Sequence, residues 1–262
     1  MFGNLARLLR YRGLISSLVA RELKARYRGS VFGFLWSFIN PLLLLLIYSF
    51  VFTTVMPNTT EGVQPYQLFM FCGILPWTWF SSSLSEAANS LISGGNLIKK
   101  VLFPAEVLPI VSVLTNMVHF FLGLPILIVF LLVYGHYPRP DNLLWFPVVV
   151  LVQLVFTIAL ALILSALAVH FRDIKDILSN VLTLWFFATP IIYSYMNAPV
   201  AMKYVNWNPF AHIAISYQEI LFFPGPFGHW KWLVALGAAC VVFFLFAYWT
   251  FDRLRDTFAE EV

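Results

Sequence analysis

Few side chains in this 262-residue sequence have the types and spacing that covalent chemistry needs. The five histidines, His119, His136, His170, His212 and His229, stand apart, without the spacings by which His and Cys hold a metal. Cys72 and Cys240 lie singly inside apolar runs and read as small buried side chains. There is no G-x-x-x-x-G-K-[ST] segment to wrap a nucleotide phosphate, no G-x-S-x-G and no H-E-x-x-H. A proton relay would place acids at mid-membrane. Here Glu86 and Glu106 fall near the ends of apolar runs, and His119 is the one titratable group deep within one. His119, Asn116 and Gln153 read as hydrogen-bonded packing residues.

The elements that would position these groups are membrane spans. The chain is 61% hydrophobic, 18% aromatic and 11% charged, whereas soluble domains carry about 25% charged residues. Residues 31–56 hold no charge, enough to cross a bilayer at ~20 residues per span. Further apolar runs cover 66–88, 106–134, 144–169, 177–195 and 232–251. Small and hydroxylated residues in the second run, Gly73 and Ser81 to Ser83, suit close helix packing. The expectation is an all-α integral membrane protein with six transmembrane helices. A single domain would fill 1–262: an amphipathic interfacial helix in 1–30, the spans in 31–251 and a cytoplasmic tail in 252–262. In 1–30, Leu5, Leu8, Leu9, Ile15, Val19 and Leu23 share one helical face, with Arg7, Arg10, Arg21, Lys24 and Arg28 opposite. That stretch has no apolar core or cleavage site of the kind a signal peptide needs.

Basic residues orient the spans. Arg7, Arg10, Arg12, Arg21, Lys24, Arg26, Arg28, Lys99, Lys100, Arg172, Lys175, Arg253 and Arg255 fall on one side, and only Arg139, Lys203 and Lys231 on the other. The positive-inside rule then puts both termini in the cytoplasm. The net charge of +4 is topology rather than a nucleic-acid footprint.

One connection does not suit water. The outer segment 196–231 carries Trp207, Phe210, Tyr217, Leu221, Phe222, Phe223 and Phe227, divided by Pro199, Pro209, Pro224 and Pro226. Two short helices that re-enter the membrane are expected, since irregular backbone at membrane depth survives only under protein cover. Asn208–Pro209 marks a helix start with proline at its first position. Phe210, Tyr217, Leu221, Phe222 and Phe223 are candidates for an outer gate that excludes water. The plainer alternative is a folded cap that only stabilises the dimer.

R-E-L-K-A-R-Y-R-G-S-V-F-G-F-L-W-S-F-I-N-P, from Arg21 to Pro41, resembles the start of the first span in the membrane subunits of ABC polysaccharide exporters. N-L-I-K-K-V-L-F-P-A-E-V-L-P, F-R-D-I-K-D-I-L, T-P-I-I-Y and the Asn208–Pro209 pair are similar to later motifs of that family, in the same order. Permeases for O-antigen are the nearest in kind, with teichoic-acid and capsule exporters next.

The resemblance implies a homodimeric permease in the inner membrane with two copies of a nucleotide-binding ATPase subunit. ATP and Mg would be bound by that partner, with no cofactor in this chain and no nucleic acid. The cargo would be an undecaprenyl-type lipid-linked polysaccharide, with membrane lipids around it. The family's coupling loop maps to Asn96, Leu97, Ile98, Lys99, Lys100, Val101 and Leu102. Carbohydrate rings offer apolar C–H faces, and Phe69, Trp77, Trp79, Phe80, Trp185, Phe187, Tyr193 and Tyr195 are candidates to line a path for them. Aromatic rings also fill cores and interfacial belts. The rival readings are another cargo on the same architecture (teichoic acid, capsule polymer or a small drug) and a membrane-embedded glycosyltransferase or lipid phosphatase. The last class needs clustered acids, histidines or arginines at one membrane face, which the sequence lacks.

Overall fold

The computed structural model describes residues 11–55, 63–99, 103–171, 173–195, 205–255 and 258. Among these the regular structure is helical, without a strand. In chain order the helices are α1 Arg12–Arg26, α2 Trp36–Phe50, α3 Tyr66–Ser93, α4 Gly95–Ile98 and α5 Val107–Val133. They continue as α6 Pro140–Leu143, α7 Phe146–His170, α8 Ile174–Phe187, α9 Pro209–Leu221 and α10 Trp230–Leu254. A 3-10 turn before α2 and a π turn after it extend that span to Gly33–Val55.

The bundle is built around α3, which touches α2, α5, α7, α8 and α9. At 28 residues it is about 42 Å long, more than the bilayer core requires. It is less apolar than its neighbours because it is buried on nearly every side and can keep hydroxyl groups. Among the described residues, four helical stretches are long and apolar enough to cross a membrane: Gly33–Val55, Val107–Val133, Pro140–His170 and Trp230–Leu254. This is a multi-pass membrane protein. Pro41, Pro76 and Pro125 lie inside α2, α3 and α5. Near Pro76 the Gln153 side chain of α7 donates to the Pro76 carbonyl at 2.8 Å and ties the two helices together beside the proline.

One expectation needs correction. The fifth run, 177–195, is not one helix: α8 stops at Phe187 after 14 residues, about 21 Å. Thr189–Pro190 is the cause, since a residue before proline is driven out of the α region. Of the two expected outer helices, α9 lies wholly among the described residues. Residues 222–229 are irregular, and 196–204 lie outside the described residues. Of the expected N-terminal helix, the described part is α1, Arg12–Arg26, which is helical through Gly13. Leu18, with Leu14, Ile15 and Val19 beside it, packs on Val107 and Val111 of α5. Residues 1–10 lie outside the described residues.

Candidate functional site

At the end of the bundle where α1 docks, polar groups from four helices meet. Arg26 ends α1 as a good C-terminal cation. Its Nη2 donates to Glu86 Oε1 of α3 at 2.6 Å. Asn116 of α5 donates to Glu86 Oε2 at 2.7 Å and to the Ser112 carbonyl at 2.9 Å, and accepts from Arg26 Nη1 at 3.4 Å. A second chain of contacts runs one turn deeper. Ser37 of α2 donates to the Tyr27 hydroxyl at 2.7 Å, and that hydroxyl lies 3.3 Å from His119 Nδ1. Because Tyr27 accepts from Ser37, its own proton is free for Nδ1, which leaves the His119 hydrogen on Nε2. These links surround a cavity of about 720 Å³ between α2, α3 and α5. The basic residues of α1 are thereby locked to two spans rather than only laid beside them.

His119 and Asn116 do pack by hydrogen bonds as their sequence context indicates. What the sequence reading missed is that Arg26, Tyr27 and Glu86 complete their network. The available signal was an acid and an amide in apolar runs, each needing a partner. Their partners stand 60 and 90 residues away along the chain.

The candidate coupling residues begin with a single helical turn, α4. Asn96 and Lys99 point to the exterior, while Leu97 and Ile98 are half-buried and Ile98 packs near Leu91 and Phe251. Lys100, Val101 and Leu102 lie outside the described residues. Gly94 makes the tight approach possible, because a Cβ there would sit 2.4 Å from Leu108 and 2.8 Å from the Ser90 carbonyl. Beside this turn, Arg255 pairs with buried Glu106 at 3.6 Å, and Lys175 is bonded to Asn89.

At the opposite end α9 enters the bundle and is buried along almost its whole length. Asn208 is its N-cap: Oδ1 accepts from the amides of Phe210 and Ala211. The same oxygen accepts from Trp185 Nε1 at 2.7 Å, and Nδ2 donates to the Ala188 carbonyl and to Thr189 Oγ1. Further along, Gln218 donates to the Pro190 carbonyl at 2.8 Å. One residue thus caps the start of α9 and satisfies the broken end of α8. Pro209 at the first position of α9 stands where the sequence puts it.

Glu219 closes the outer turn. Its Oε2 accepts from the amides of Gly228 and His229 at 2.9 and 3.0 Å, and its Oε1 from the Tyr195 hydroxyl at 2.8 Å. Asn142 donates to the Gly225 carbonyl and accepts from the Phe227 amide. His229 lies 2.8 Å from His212, whose ring stacks on Trp232 at 4.8 Å. Burial, with the neighbouring His212 second, pushes His229 down to about 4.

The candidate aromatic residues fall into two groups. Phe69, Trp77, Trp79 and Phe80 are buried in the core. Phe80 stacks on Phe156 and lies tilted against Phe210 at 4.5 Å, Trp77 meets Phe210 edge-on at 5.0 Å, and Trp79 lies 5.1 Å from Phe120. Trp185 joins this cluster through Phe80. Of the candidate gate residues, Phe210, Tyr217, Leu221 and Phe222 are equally buried within the chain, and Phe223 is half-buried. Phe222 and Phe223 both pack on Phe69. The second group keeps free surface: Phe187 is 58% exposed, and Tyr193 and Tyr195 are half-buried. Trp207, 88% exposed and not among the candidate residues, shares a shallow pocket with Tyr193, Leu184 and Asn208.

The chain is 45% identical over 258 residues to a Myxococcus xanthus protein named O-antigen export system permease protein RfbA, covering 97% of each chain. It is 34% identical to a Klebsiella pneumoniae protein of the same name, covering 94% of each. It is 20% identical to the Escherichia coli polysialic acid transport protein KpsM, over 78% of this chain and 80% of the other. The ABC-2 type transporter pattern matches residues 13–222, from α1 through α9. The chain belongs to the ABC-2 type transporter family.

Proposed function

We propose that this chain is the permease half of an ATP-driven exporter that moves a lipid-linked, O-antigen-like polysaccharide out across the inner membrane. The observation that carries this reading is the 45% identity, without large gaps in coverage, to a protein named as an O-antigen export permease. The missing phosphate-binding loop agrees with it: hydrolysis, with its ATP and Mg, belongs to a partner subunit, and two copies of each chain make the working unit. Polysialic acid transport by a more distant relative keeps capsule polymer as the second cargo class.

Six crossings with both termini in the cytoplasm are the topology of this proposal. α3 supplies the second. The fifth is completed by α8 and α9 together, each too short alone, joined end to end through Asn208. α9 and the Glu219-bound turn cover the outer end of the path. Phe187, Tyr193 and Trp207 carry the ring surface left free for sugar, since the buried rings already face one another. Asn96 to Leu102 transmit ATPase motion. A deletion strain tests the whole: polymer should accumulate inside the cell on its lipid carrier and return to the surface on complementation. Normal surface polymer in the deletion strain would overturn the proposal.

A further inference from the structure

Two cavities share Arg26 at the end of α1. The first is the cavity of about 720 Å³ between α2, α3 and α5. Leu43, Leu44 and Ile47 of α2 face Leu75 and Phe120 across it, and polar groups such as Ser37 and Ser82 occupy its other parts. The second, about 670 Å³, lies between α1, α3 and α5 and is lined by Arg21, Glu22, Arg26 and Glu86 with hydroxyl and amide groups around them. Arg26 lines both. Each volume is in the range of small-molecule pockets, roughly 300–1,000 Å³. As one crevice around Arg26, the pair would be apolar on one side and charged on the other, which is the shape of an amphiphile.

The charges identify the headgroup. Arg26 and Glu86 are already bound to each other at 2.6 Å. Arg21 and Glu22 make no ion pair among the described residues. A purely anionic headgroup would lie against Glu22 and a purely cationic one against Arg21. A headgroup of both signs satisfies the two together. The apolar wall belongs to α2, whose Leu42, Leu46 and Phe50 are exposed on a stretch long and apolar enough to cross a bilayer. We propose that this crevice holds one zwitterionic bilayer phospholipid per protomer, with its ammonium at Glu22, its phosphate at Arg21 and an acyl chain between α2 and the α3–α5 pair. This lipid is distinct from the exported cargo, and the proposal does not depend on what that cargo is.

The test uses the permease purified with its ATPase partner and exchanged into equimolar phosphatidylethanolamine and phosphatidylglycerol, with retained lipid measured by native mass spectrometry. About tenfold enrichment of phosphatidylethanolamine, at one per permease chain, is expected. Glu22 is exposed on α1, so Glu22→Lys leaves thermal stability unchanged while inverting the preference towards phosphatidylglycerol. Ser82→Leu narrows the cavity and removes retention of either lipid; should it fail to assemble, Glu22→Lys decides alone. Equal retention of the two lipids by the wild type, or unaltered selectivity in Glu22→Lys, overturns the proposal. Displacement of phosphatidylethanolamine by equimolar undecaprenyl phosphate also overturns it, because the crevice then belongs to the cargo carrier.

Discussion

Asn208 Oδ1 lies 2.7 Å from the Trp185 indole nitrogen while capping α9, so the end of α8 and the start of α9 share one side chain. Asn208→Ala removes the cap, worth ~1 kcal/mol, and strands a part-buried indole N–H, worth ~1–3 kcal/mol. A loss of about 2–4 kcal/mol in thermal unfolding is expected. Asn208→Asp keeps the acceptor and loses only the donors to Ala188 and Thr189, so its cost should be smaller. Equal stability of the alanine variant and the wild type would remove Asn208 from this role.

The Arg26–Glu86 pair should behave as a unit. Both side chains are about a third exposed, so each alanine variant should cost on the order of 1 kcal/mol after solvent screening. Arg26→Ala with Glu86→Ala should cost no more than the worse single variant, because neither charge is then left alone. A double-mutant cycle in detergent measures the coupling, and strictly additive costs would show the two to be independent.

Stability should fall in mild acid through His229. An unfolded chain binds the proton near 6.5 and the folded one only near 4. Between those values the unfolded state holds more protons, so stability is full above pH 6.5 and declines as pH drops towards 4. His229→Gln should flatten this slope in unfolding curves taken across the window. An unchanged slope would place the sensitive group elsewhere.

Orientation is open to thiol labelling in intact cells. Asp141→Cys lies at an exposed position beside α6 at the outer end and should react with an impermeant reagent. Ser93→Cys and Asp173→Cys lie at the α1 end and should not. The native Cys72 and Cys240 are buried and add little background. The reverse pattern would invert the topology.

Lys99→Glu combined with Lys100→Glu should uncouple export from ATP hydrolysis while the protein remains folded. Lys99 follows the exposed turn of α4 and takes no part in the core. ATPase activity and surface polymer are measured together in a complemented deletion strain. Wild-type export by a well-expressed double variant would reject the coupling role.

What the sequence determined is what each segment decides locally. Charge-free runs imposed membrane helices, because unpaired backbone has no partner in lipid. Arginine and lysine separated the two ends of the bundle. Asn208–Pro209 marked the start of α9, because a side-chain acceptor followed by a residue without an N–H suits a first turn. The tertiary structure decided which groups answer one another across the chain. Hydropathy over 177–195 is insensitive to a backbone break, so α8 looked like a full span. Only packing brought Asn208 and Gln218 to the carbonyls that the break released. Phe69, Trp79 and Phe80 are chemically as suited to a sugar path as Phe187, and burial alone separates them. Glu86 and Arg26 are ordinary span-end charges in sequence. They become a tie between α1 and α3 because the fold sets them 2.6 Å apart, where removing either leaves the other's charge without its partner.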